Sequence, residues 1–136
     1  MSDIAYTSIL PEGWPRPRGF THAIAATGAR TVRVSGQVAS LAGAPVQPGL
    51  DIGGQWRQAL ANVISVVRSA GGDVPNIVLL RAFVTDVEAF KQAGPAIGAA
   101  WGATLGRHFP AMTLVGVTGL MDANAVVEIE AEAVLA

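Results

Sequence analysis

The chain has 136 residues, of which 51% are hydrophobic and 14% charged, with 9 Lys plus Arg against 10 Asp plus Glu and a net charge of −1. That length suits a single domain over 1–136 with a core of its own, and the near-neutral balance gives neither a basic footprint for nucleic acid nor an acidic solvating tail. Cysteine is absent, which removes disulfides, thiolate nucleophiles and Cys-ligated metal centres together, and His22 and His108 alone do not complete a zinc site.

Met1-Ser2-Asp3-Ile4 lacks the basic and apolar regions of a signal peptide, so a reduced, cytoplasmic compartment is expected. Pro11, Gly13, Pro15, Pro17 and Gly19 make residues 1–19 read as an irregular arm. Residues 21–26 and 31–37 flank the turn Thr27-Gly28-Ala29-Arg30 and predict a hairpin. In its second run Val32 and Val34 alternate with Thr31, Arg33 and Ser35, as a half-buried strand should. A loop with Gly43, Pro45, Pro48 and Gly49 follows over 38–50. Asp51 is then an N-cap. Behind it Ile52, Trp56, Leu60, Val63, Ile64 and Val67 recur at helical spacing until Gly71-Gly72, which predicts an amphipathic helix over 52–70.

Asp73-Val74-Pro75-Asn76 is a turn, and 77–85 is a β-rich run. Asp86 opens a second helical region, interrupted at Gly94-Pro95 and restarted with Pro95 at its first position. In that helix Gly94, Gly98, Gly102 and Gly106 form a stripe, each costing about 0.5–1 kcal/mol against alanine. The uncharged run between Lys91 and Arg107 is shorter than the roughly 20 residues of a membrane span. The stripe is therefore expected to let the helix lie close on a sheet. Strands are predicted over 111–118 and 125–135, on either side of a turn at Asp122-Ala123-Asn124. The order ββαβαββ implies an α+β fold, a mixed sheet with two helices packed on one face. The high apolar and low charged fractions leave apolar surface that oligomerisation would cover.

Glu128, Glu130 and Glu132 alternate with Val127, Ile129, Ala131 and Ala133, so the three carboxylates share one face of the last strand. Such a row is either solvated or paired, with Arg33 and Arg81 as the partners at hand, or one of its members handles a proton. Ser35-Gly36-Gln37 ends a strand where glycine permits a bulge or a close approach of the backbone to a ligand. His22 and His108 read as surface or hydrogen-bonded residues. No phosphate-binding loop follows Gly49, Gly53 and Gly54, and no Gly-x-Ser-x-Gly nucleophile elbow is present.

Taken in order, Arg18-Gly19-Phe20-Thr21-His22-Ala23, Val34-Ser35-Gly36-Gln37-Val38, Gln55 through Asn62, Val84-Thr85-Asp86, Phe109-Pro110-Ala111 and Val127-Glu128-Ile129-Glu130-Ala131 resemble the Rid family. These reactive-intermediate deaminases are also called YjgF proteins and labelled L-PSP endoribonucleases. The resemblance implies a chorismate-mutase-like fold and a homotrimer with small-molecule clefts between subunits. It implies hydrolysis of an enamine or imine to a carbonyl compound and ammonia, with no metal or bound cofactor; the short uncharged run gives no reason to expect a membrane partner, and the near-neutral charge none to expect nucleic acid. Glu128 matches the glutamate that orients the attacking water, and Gly36 matches the glycine near the cleft. Phe20 stands where active members have tyrosine. After Phe109-Pro110-Ala111 deaminases carry an arginine that clamps the substrate carboxylate, where this chain has Met112. Leu114 takes a place often held by cysteine. A thioether cannot imitate the two-pronged guanidinium, so Arg81 and Arg107 become the candidates for that role. Two functions stay open: an enzyme acting on something other than the usual 2-imino acids, and a non-catalytic trimeric metabolite binder or regulator using the same cleft. The ribonuclease label finds little support in a near-neutral chain with a single lysine.

Overall fold

The computed structural model describes residues 4–136; the Met1-Ser2-Asp3 stretch read above for targeting lies outside them. Its central helix α1 (Ile52–Ser69) begins at Asp51, whose carboxylate accepts the Gly54 N–H at 2.8 Å. Trp56, Ala59, Leu60, Val63, Ile64 and Val67 return every three or four residues and are all buried. The helix stops where Gly71 takes a φ of +96°. The Gly71 and Gly72 N–H groups then close on the Arg68 and Val67 carbonyls, both at 3.0 Å. A side chain at Gly71 would be strained there, so the paired glycines are a true stop signal.

That apolar stripe rests on a four-stranded mixed sheet in the order β3-β6-β4-β5, with β3 spanning Arg30–Gln37, β4 Ile77–Val84, β5 Ala111–Gly116 and β6 Val127–Leu135. β6 is antiparallel to both neighbours, whereas β4 and β5 run parallel. The parallel pair needs a crossover, and α2 (Val87–Gln92) with α3 (Gly94–Thr104) supplies it. Alternation then sorts the side chains. Val34, Leu80, Ala82, Val84, Val127, Ile129 and Ala131 are buried with α1, while Glu128, Glu130 and Glu132 line the other face. Fully burying one such aliphatic contributes about 1.5–3 kcal/mol, so this layer supplies most of the drive to fold. The α+β class and the mixed sheet agree with the sequence reading.

Three expectations are corrected. The first residues are not all irregular. Strand β1 (Ala5–Ile9) pairs antiparallel with β2 (Ala23–Thr27) as a separate two-stranded sheet, and the Pro- and Gly-rich composition begins only after it. Secondly, β2 and β3 form no hairpin ladder. The connection passes over the end of β6, where a Cβ on Gly28 would lie 2.5 Å from the Leu135 carbonyl oxygen and 2.6 Å from Val134 Cγ1; β2 pairs with β1 and β3 with β6. Thirdly, the glycine stripe does not face the sheet. Ile97, Ala100, Trp101 and Leu105 take the inward side of α3, which leaves Gly98 and Gly102 exposed with nothing within 4 Å of a Cβ. The close helix approach occurs instead at Gly53 of α1, where a Cβ would come within 2.9 Å of the Ala96 methyl.

Polar side chains fix the loops around this frame. Gln55, 2% exposed, donates to the Leu50 and Asn124 carbonyls and accepts the Val126 N–H. Asn62 donates to the Val38 and Ser40 carbonyls at 2.9 and 2.8 Å. Asp122 accepts the Val46 and Asn124 N–H groups, both at 2.9 Å. No described helix is long and apolar enough to cross a membrane.

Two outcomes are expected in denaturation experiments. Gly98→Ala and Gly102→Ala should each stabilise the fold by about 0.5–1 kcal/mol, because the methyl meets open space and only the helix propensity changes; a loss of stability in urea melts would mean that the stripe is covered. The Val46 N–H, and after it the Asn124 N–H, hold the Asp122 carboxyl below its ordinary 3.8. A depressed folded-state pKa contributes stability above the unfolded value that is lost as pH falls through the folded one. Asp122→Asn should therefore melt below wild type at neutral pH, with the gap closing as the pH drops below 3.8.

Candidate functional site

On the face of the sheet away from the helices the three carboxylates of β6 have different neighbours. Glu132 is 3.6 Å from Arg33 and 3.6 Å from Arg81, and Glu130 is 3.0 Å from Arg81. These pairs are part-exposed, and each is worth only about 0–1 kcal/mol, but together they neutralise two of the three charges. Glu128 has no ion pair and no hydrogen bond among the described residues. It sits half-buried opposite Phe83 of β4.

Gly36 is the reason it fits. The β3–β6 register shifts between Val34 and Gln37, and the bulge brings the Gly36 backbone under the Glu128 side chain. A Cβ there would lie 2.8 Å from Glu128 Cδ and 3.0 Å from Cγ, and closer still to Oε2. The bulge suggested by Ser35-Gly36-Gln37 thus occurs, and the group lying close to its backbone is a protein carboxylate. A half-buried carboxylate set close over the Gly36 backbone, with no cation on it, can orient a water and take its proton.

The remaining candidates are not gathered at this point within one chain. Met112 and Leu114 pair with Leu80 and Ala82 of β4, so alternation turns them toward the helix side, opposite to Glu128. Leu114 packs on the core, and Met112, on the edge strand, is 41% exposed. Arg81 is engaged by Glu130 and Glu132. Arg107 lines a groove of about 510 Å3 with Tyr6, Arg68, Asp73 and His108, in which Arg68 already pairs with Asp73 at 2.9 Å. Phe20 lies on the segment between β1 and β2, 49% exposed, its ring edge-on to His22 with centroids 5.1 Å apart. Sequence reasoning passed over Trp14 and Arg16, which the same segment places around His22 and Phe20; the only signal was an arginine and aromatics in a proline-rich stretch. Among the described residues no three His, Asp or Glu side chains gather to hold a metal ion.

A double-mutant cycle tests the contact. Gly36→Ala should displace the Glu128 carboxylate, and because the clash is with the mobile end of a side chain its cost should fall in a Glu128→Ala background, with a coupling of about 0.5–3 kcal/mol. Additive effects in thermal and urea unfolding would remove the contact from the account.

The comparisons agree with this architecture. The family model for endoribonuclease L-PSP matches residues 15–135. The conserved Rid-family protein YyfB from Yersinia pestis is 34% identical, with 96% of this chain and 98% of that one covered at a TM-score of 0.83. The YjgF gene product of E. coli is 29% identical, covering 94% and 98% at a TM-score of 0.67. E. coli TdcF, solved with bound serine, is 25% identical, covering 96% and 99% at a TM-score of 0.67. No curated protein matches the chain. The match over nearly the whole sequence, together with the mixed sheet that carries Glu128 beside Gly36, establishes that this chain belongs to the Rid/YjgF family, whose model is that of endoribonuclease L-PSP.

Proposed function

We propose that the protein is a cytoplasmic homotrimer that hydrolyses an enamine or imine to a carbonyl compound and ammonia, in clefts between its subunits, with Glu128 as the catalytic carboxylate. The observation that carries this reading is the isolation of Glu128: its two neighbours on β6 are neutralised by Arg33 and Arg81, while Glu128 is seated on Gly36 without a cation. The oxygens of a carboxylate bound to a guanidinium are occupied, whereas those of Glu128 are left to accept from a water or a substrate.

The chemistry balances without a cofactor. An enamine first tautomerises to its imine, and the protonated imine carbon is electrophilic. Water adds through oxygen to that carbon while Glu128 accepts one of its protons. The proton then passes to nitrogen, the C–N bond breaks, and the products are a carbonyl group and an ammonium ion. Positioning of water and substrate is the main service asked of the protein. TdcF with bound serine supports a cleft of amino-acid size in this fold. Assembly finds support in the helix-free face, where Val115 is exposed beside Arg81 and the partly buried Phe83. Met112 and Glu128, on opposite faces of one sheet, would share a cleft where two copies meet.

The substrate differs from small 2-imino acids, since Met112 and Phe20 make the cleft wall apolar where a guanidinium and a hydroxyl would hold a small polar acid. The same two residues favour the second reading, a trimeric binder without turnover. The deciding experiment follows imine loss in competition with semicarbazide trapping, for imines generated by an amino-acid oxidase from small and from apolar amino acids. Light scattering should give a trimer mass. Apolar imines should be hydrolysed faster than small ones, and Glu128→Gln should reduce the rate by at least about 100-fold, as for loss of a general base. A folded trimer without turnover on either class would leave the binder reading.

A further inference from the structure

The end of strand β1 and the segment that joins it to β2 line an open cavity of about 390 Å3, a volume suited to a small ligand. Ile9, Leu10, Pro17 and Phe20 form apolar walls, and Arg16 and His22 are the ionisable groups on it. The Thr21 hydroxyl, also on the lining, donates to the Phe109 carbonyl at 3.0 Å. Arg16 makes no ion pair or hydrogen bond among the described residues, and no described residue hydrogen-bonds the His22 ring. The His22 ring stands edge-on to Trp14 at 4.8 Å and to Phe20 at 5.1 Å between centroids, both with interplanar angles of 83°. The two rings are thereby held in orientation although Trp14 is 54% exposed. Oriented aromatics thus stand on the surface beside a guanidinium that no described residue engages.

The arrangement selects a kind of molecule. A guanidinium receives a carboxylate through two parallel N–H···O bonds, a geometry no neutral head group reproduces. An oriented phenyl ring with aliphatic side chains around it receives a flat apolar body. Arg16 is also the cation that shares a cavity with Phe20, since Arg81 is held by Glu130 and Glu132 and Arg107 lines a different groove. We infer that this cavity binds a small monocarboxylate with a flat apolar body, its carboxylate on Arg16 and its body against Phe20. The inference deepens the proposed function by naming the substrate class, and it rests on that reading only in taking the bound acid to be what is hydrolysed.

The test is calorimetric titration of the full chain with 3-phenylpropionate and with its uncharged amide. The acid should bind the wild type at least about tenfold more tightly than the amide, the discrimination expected of charge-assisted hydrogen bonds. Arg16→Gln should bring the acid down to the level of the amide, and Arg57→Gln, on the exposed side of α1, should keep the preference. Glu128→Gln should bind the acid as the wild type does while losing turnover. Equal affinity for acid and amide, absence of binding by both, or an undiminished preference in Arg16→Gln would overturn the inference and leave the assignment of Glu128 standing. Turnover that survives Glu128→Gln, with the acid still dependent on Arg16, would overturn the assignment of Glu128 as the catalytic carboxylate and leave this site.

Discussion

Strand β6 is paired on both sides, and this commits every one of its side chains. Alternation sends Val127, Ile129, Ala131, Ala133 and Leu135 under α1, all buried, and sends Glu128, Glu130 and Glu132 to the opposite face. A slip of one residue would bury three carboxylates and expose five aliphatics, so the register of the sheet is fixed by desolvation as much as by hydrogen bonds. The parallel strand β5, the crossover through α2 and α3 and the packing of α1 are arranged around that commitment.

The polar residues of α1 serve the same end from inside the core. Gln55 is buried, and its amide is satisfied by the Leu50 and Asn124 carbonyls and the Val126 N–H. Left unsatisfied, a group of this kind costs about 1–3 kcal/mol. The side chain therefore fixes where the chain enters α1 and where it enters β6, one residue before Val127. Asn62 does the same for the segment after β3 through the Val38 and Ser40 carbonyls. Between them they hold the two strand ends that bear Gly36 and Glu128.

The face that carries Glu128 is an ordered sequence of charges. Arg33 from β3 and Arg81 from β4 reach Glu132 from both sides of β6, and Arg81 also takes Glu130. The cations are used up one turn of the pleat short of Glu128, where β4 presents Phe83 instead of an arginine. A structural ladder and a chemically available carboxylate thus sit on the same strand, distinguished by what the neighbouring strand places opposite each.

Much of this was legible in the sequence, because the information is local. The spacing of Ile52 to Val67 and the glycines at 71 and 72 determine a helix and its end, and the alternation from Val127 to Leu135 determines a strand with one apolar and one acidic face. The order of motifs from Phe20 to Glu128 identified the family, and Gly36 announced a bulge. Pairing and orientation were decided by the tertiary structure. Four glycines at a period of four mark a stripe, but only the burial of Ile97, Ala100, Trp101 and Leu105 determines that Gly98 and Gly102 face outward. Strands β2 and β3 are separated by two residues, yet β2 pairs with β1 and β3 with β6, in different sheets. Three glutamates on one face are equivalent in the sequence. They become different only when residues some fifty to a hundred positions away along the chain are brought beside them, because a charge is defined by its neighbours in space and spacing along the chain carries no record of which neighbour arrives.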